Sequence, residues 1–152
     1  MPFFSIAWAG FVAVILAAAV FWLFRATRLT EFSPSIQLGC LFIRDPAHPA
    51  TETTGFLLLV VLGSSLVPFV YQRIFAMLGG PSWLLGLGVG AFHGLVAAAL
   101  LPAFGTISAC IRAGAIKAPG HMGIKWGWLT PFAMVLGHGL YGAICGAILQ
   151  NL

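Results

Sequence analysis

Charge is what this chain has least of. Of its 152 residues only 7% are charged, and the acidic ones number three. Glu31, Asp45 and Glu52 all fall in one short stretch. General acid–base chemistry needs positioned proton carriers, and here it has almost nothing to work with. No Ser-His-Asp set, no paired carboxylates and no His-x-x-x-His spacing occurs. The chain is therefore expected not to be an enzyme. Cysteine is also scarce: Cys40, Cys110 and Cys145 are odd in number and lack metal-ligand spacing. No metal site is expected from them.

Where charge is missing, long apolar runs take its place. No charged residue precedes Arg25, and none lies between Gly55 and Gln72, between Ile74 and Ile111, or from Trp126 onwards. A helix needs about 20 apolar residues to cross a hydrocarbon layer of about 30 Å. Four runs qualify, at about Phe3–Phe24, Gly55–Leu78, Trp83–Ala109 and Trp128–Leu149. Helix is the expected form, because lipid offers no partner to an open backbone N–H or C=O. The fold class expected is an all-α integral membrane four-helix bundle, a single transmembrane domain over residues 1–152. The first run has no basic n-region and is followed by arginines, so it reads as a retained span and not a signal peptide.

The formal charge of +4 is topological and does not point to nucleic acid. Arg25, Arg28, Arg44, Arg112, Lys117 and Lys125 lie in the first and third connections, and Arg73 alone lies near the second. That bias places connections one and three in the cytoplasm and both termini on the non-cytoplasmic side. Cys40 and Cys110 would then be reduced thiols, with no disulfide expected. Cys145 reads as a small packing residue. Trp126 and Trp128 read as headgroup-belt residues.

Three local features qualify this outline. Ser35–Ile43 is too short to span and is expected to form an interfacial or re-entrant helix, or a segment packed on a partner. Thr51 or Thr53 is the expected cap of the second span. Pro68 should kink that span, with Ser64 and Ser65 meeting the loosened backbone. Gly79-Gly80-Pro81 then turns the chain tightly into the third span.

The third and fourth spans carry small-residue ridges. Gly86, Gly90 and Gly94 recur every fourth residue, and Gly142 and Gly146 repeat the spacing beyond His138. Such ridges let backbones approach closely, and these are expected to face protein. His93 and His138 sit near the middle of their spans. An ionisable group there should face protein or water and is by default a functional candidate. Three roles compete: an interhelical hydrogen bond to serine, tyrosine or carbonyl; ligation of a tetrapyrrole (haem b or chlorophyll); and a proton or metal path. The last is weakened by the absence of other charged groups in the spans. His48 and His121 read as solvated loop residues.

The chain resembles a group of uncharacterised small bacterial four-helix membrane proteins. The likeness rests on Leu38-Gly39 in the first connection, Gly55 opening the second span, and the glycine-rich third span ending at Pro102. It also rests on His138-x-x-Tyr141-Gly142-x-x-x-Gly146 in the fourth. The chain departs from that pattern in having no histidine near the start of its second span. The resemblance implies a four-helix bundle and no particular activity.

Size, ridges in want of partners and little extramembrane mass together suggest a non-catalytic accessory subunit of a larger respiratory or photosynthetic membrane complex. It would contact lipid and other subunits, or itself, in a bacterial inner membrane. The alternative is a small haem- or chlorophyll-binding membrane protein using His93 and His138. A permease or channel would need a polar lining that the sequence does not offer.

Overall fold

The computed structural model describes residues 2–152 and contains helices and turns but no strands among them. Four helical spans are long and apolar enough to cross a membrane. α1 covers Phe3–Ala26. After a short helix, α2 (Pro34–Gly39), the second span runs over Pro49–Met77. It consists of α3 (Pro49–Val61), a π-helical turn (Leu62–Leu66) and α4 (Val67–Met77). α5 covers Trp83–Ile107, α6 the single turn Ala109–Arg112, and α7 Thr130–Gln150.

The second span begins earlier than its apolar run. Pro49 takes the first helical position, where no backbone N–H is needed. His48 is the cap: its Nδ1 accepts from the Ala50 N–H at 3.2 Å. Thr51 and Thr53 lie inside the first turns, so neither caps the helix. Thr51 Oγ1 instead donates to the Asp45 carbonyl at 2.6 Å. His48 is thus part of the fold and not only a solvated loop residue.

The Pro68 irregularity is resolved by a register change. Just before it the helix widens to i→i+5 bonding, with the Val67 N–H on the Leu62 carbonyl. In that register the Gly63 carbonyl would take the N–H of residue 68, which proline lacks. Ser64 and Ser65 do not fill the gap; they donate to Val60 and Val61 carbonyls at 2.7 and 2.5 Å. The Tyr141 hydroxyl does, donating to the Gly63 carbonyl from α7 at 2.7 Å.

The closest helix pair is α5 with α7, not the two spans joined by the tight glycine turn. A Cβ on Gly86 or Gly142 would strike backbone of the other; one on Gly90 or Gly94 would strike the backbone at His138 or Met134. Gly146 faces the Ser82 carbonyl in the same way. α1 lies along α7, with Gly10 against Gly63 and Pro68, and Gly137 of α7 against the Phe21 ring.

α2 folds back onto α3. Pro34 opens it and Ser33 Oγ accepts from the Ile36 N–H at 3.4 Å. Gly39 and Gly55 interlock the pair, because a Cβ on either would meet the carbonyl of Thr51 or Ser35. Cys40, just beyond α2, forms a disulfide with Cys110 of α6 across a sequence separation of 70. This corrects the expectation of two free thiols. The Ala109 N–H donates to the Cys40 carbonyl at 2.7 Å beside it. Spacing along the chain could not show that α2 and α6 meet. Cys145 remains a buried thiol.

A buried polar knot fixes connections one and three to α7. Thr30 and Thr130 share a hydroxyl hydrogen bond at 2.6 Å, and Thr30 Oγ1 also reaches the Trp126 carbonyl at 3.2 Å. Trp126 itself is not a belt residue. It is 2% exposed, stacks on Phe32 and donates Nε1–H to the Lys117 carbonyl at 2.8 Å. Trp128, by contrast, is exposed.

Candidate functional site

The two spans of histidine interest meet inside the bundle. α5 and α7 are antiparallel and lie backbone to backbone at their glycines, so His93 and His138 reach the same depth. Their ring centroids are 4.7 Å apart in an edge-to-face arrangement. The His138 Nδ1 lies 2.8 Å from the Met134 carbonyl, one turn back on its own helix. A carbonyl can only accept, so the proton sits on Nδ1 and the Nε2 lone pair is free. His93 Nδ1 lies 3.0 Å from the Tyr71 hydroxyl of α4. Phe21 of α1 stands edge-on to His138, with centroids 6.1 Å apart, and Tyr71 stands edge-on to Tyr141 at 5.4 Å.

His93, His138, Phe21 and Tyr141 border a cavity of about 340 Å³, with Tyr71 behind them; that is within the range of roughly 300–1,000 Å³ usual for small-molecule sites. Its walls come from every span and from α2. They include Phe21, Phe32, Gln37, His93, His138 and Tyr141. α3 contacts α2 closely and α1 slightly, and has no extensive contact with α5 or α7. The cavity fills that gap, between Leu59 and Leu62 on one side and Leu101 and Phe104 on the other. No charged side chain lines it.

Of the residues singled out from the sequence, His93 and His138 meet at the cavity. Gly86, Gly90, Gly94, Gly142 and Gly146 lie behind it, in the α5–α7 seam that sets the histidine spacing. Sequence reasoning passed over Gln37 and Tyr71, and met Tyr141 only as part of the fourth-span pattern, with no role of its own. Gln37 is 5% exposed, and its Oε1 is buried without a hydrogen-bond partner. The available signal was an amide in an otherwise apolar short run. His121 stands apart, at the start of a 3₁₀ turn (His121–Trp126), and is exposed.

The geometry can be tested against a tetrapyrrole. Imidazole–metal bonds are about 2.0 Å, so two axial rings on opposite faces of one macrocycle have centroids more than roughly 6 Å apart. His93 and His138 are too close for that. Single axial ligation through His138 Nε2 fits the donor set, since Nδ1 is anchored on a carbonyl as in many metal-binding histidines. Among the described residues no group of three or more His, Cys, Asp or Glu side chains could hold a bare metal ion.

No protein family, no curated protein and no solved structure matches the chain.

Proposed function

We propose that this chain is a non-catalytic membrane protein that binds a small, largely apolar ligand taken sideways from the bilayer. The observation that carries this reading is the histidine-edged cavity in the gap between α3 and the α5–α7 pair. Its apolar walls suit a molecule already dissolved in lipid, and its few polar groups suit orientation more than reaction. Glu31, Asp45 and Glu52 are all absent from its walls, which supports binding without acid–base chemistry. The bacterial inner membrane is the setting we assign.

A specific observation favours a second reading. The fixed tautomer of His138 presents a lone pair to the cavity, as an axial ligand to haem b or chlorophyll requires. The accessory-subunit reading keeps the small extramembrane mass as support. It loses one of its motives, because the glycine ridges face each other within the chain.

Protein purified in mild detergent from its native membrane separates these readings. The expected result is a colourless sample carrying one apolar molecule per chain, detected by mass spectrometry after extraction. That molecule should be lost from Ala18→Phe, which fills the cavity wall. Wild-type protein with nothing bound would sink the proposal. A Soret or chlorophyll band abolished by both His138→Gln and His138→Leu would establish the second reading.

For orientation, we infer that connections one and three face the oxidising side and that both termini are cytoplasmic. The Cys40–Cys110 bond supports this, because disulfides persist outside the reducing cytosol. The basic residues argue the other way. Two of them, Arg25 and Lys117, lie within 3.6 and 2.8 Å of Glu52 and Glu31. A covalent bond between the two connections outweighs a statistical charge bias.

A further inference from the structure

We propose that α3, moving with α2, is the side gate of the cavity, pivoting at the π-helical turn to widen and narrow the gap towards α5; as a route for ligand this rests on the binding reading above. The two halves of the second span are attached differently. α4 touches α1, α5 and α7, whereas α3 meets mainly α2 and the π turn and has no extensive contact with α5 or α7. Its cavity-side residue Leu59, with Leu62 just beyond it, faces Leu101 and Phe104 across empty space. The one ion pair on α3, Glu52 with Arg25 of α1 at 3.6 Å, is exposed and holds it weakly.

The pivot lies where the helical ladder is interrupted. From Leu62 to Leu66 the backbone widens to the π register, and Pro68 supplies no N–H to it. Helices bend at such interruptions, and π turns recur at functional sites. The turn itself is clamped from two helices. Gly10 of α1 lies against the Gly63 carbonyl and Pro68, and Val14 lies against Gly63. From α7, the Tyr141 hydroxyl donates to the Gly63 carbonyl at 2.7 Å. A clamped turn with a lightly held helix beyond it allows that helix to swing while the rest of the bundle stays still.

The far end of the gate is fixed as well. Gly39 and Gly55 interlock α2 with α3, so the two move as one body. That body is tied to α6 by the Cys40–Cys110 bond and by the Ala109 N–H on the Cys40 carbonyl. A rotation about the line through the π turn and the disulfide changes the separation of Leu59 from Phe104 and breaks neither attachment. α2 contributes Gln37 and Leu38 to the cavity wall, so the same rotation moves that wall.

The test uses full-length protein in phosphatidylcholine nanodiscs, with Cys145→Ala and the native disulfide intact. Spin labels are placed on exposed positions, at Leu57→Cys of α3 and Leu100→Cys of α5; Leu100→Cys with Leu136→Cys of α7 is the control pair. Distances come from pulsed electron resonance without ligand. The α3–α5 distribution should be about twice as broad as the α5–α7 one, as for a hinged element beside a packed pair. Pro68→Ala, which gives residue 68 an N–H, should narrow it. Equal breadth for the two pairs, or a broad α3–α5 distribution that Pro68→Ala leaves as it is, would overturn the gate. A second measurement bridges the two thiols of the α3–α5 pair with a bismaleimide and follows exchange of bound deuterated decylbenzene by mass spectrometry. Bridging should slow that exchange by about tenfold, since opening then limits passage. Exchange at an unchanged rate would overturn the gate as well. Failure of decylbenzene to bind counts against the binding reading, and the ligand-free distances still decide whether α3 moves.

Discussion

At the residue scale the Tyr141 hydroxyl has a defined task. It replaces a backbone donor that Pro68 cannot supply, and it does so across helices. In lipid no water can substitute. Tyr141→Phe keeps the ring and removes only the donor. It should lower stability by about 1–2 kcal/mol, the cost of stranding a carbonyl in a membrane interior. Thermal unfolding in detergent would show this, and hydrogen exchange should rise in α4 just after the π turn. An unchanged midpoint would mean that the Gly63 carbonyl finds another partner.

At the element scale, the α5–α7 seam is a contact of backbone on backbone. Gly90 lies against the His138 carbonyl and the Gly139 Cα, whereas a Cβ on Gly88, two residues away, would meet nothing within 4 Å. The two positions therefore make a matched pair. Gly90→Leu should force the helices apart, lowering the thermal midpoint steeply and separating His93 from His138. Gly88→Ala should be neutral or stabilising by up to about 1 kcal/mol, from helix propensity alone. Engineered cysteines across the seam would report the separation directly. Equal behaviour of the two variants would show that the seam is not what holds the pair together.

At the scale of the whole molecule, the disulfide ties α2, which bears a cavity wall, to the end of the third span. It closes a long loop, and removal of such a bond typically costs about 2–4 kcal/mol. Cys40→Ser with Cys110→Ser should lower the thermal midpoint accordingly and speed loss of a bound ligand, since α2 is then held mainly through its interlocked glycines on α3. In intact cells, an impermeant maleimide should label Cys40 and Cys110 only after treatment with an impermeant reductant. Labelling that still requires membrane permeabilisation would reverse the orientation inferred above.

The sequence by itself determined the four spans. A bilayer demands long uncharged helices, and the gaps between charged residues mark all four. Glycine spacing marked close seams, since small residues at every fourth position have little other use in lipid. What only the tertiary structure decided is which surfaces meet. The glycines of α5 face those of α7 rather than an outside partner. Tyr141 reaches a carbonyl 78 residues away, and Cys40 reaches Cys110. The second span started six residues before its apolar run, because proline and a histidine cap begin a helix that hydropathy does not register. Trp126 sank into the core through Phe32 and the Lys117 carbonyl, contacts with no local sequence signature. Helical periodicity encodes the face a residue occupies, but pairing between distant faces depends on how all four helices fit together.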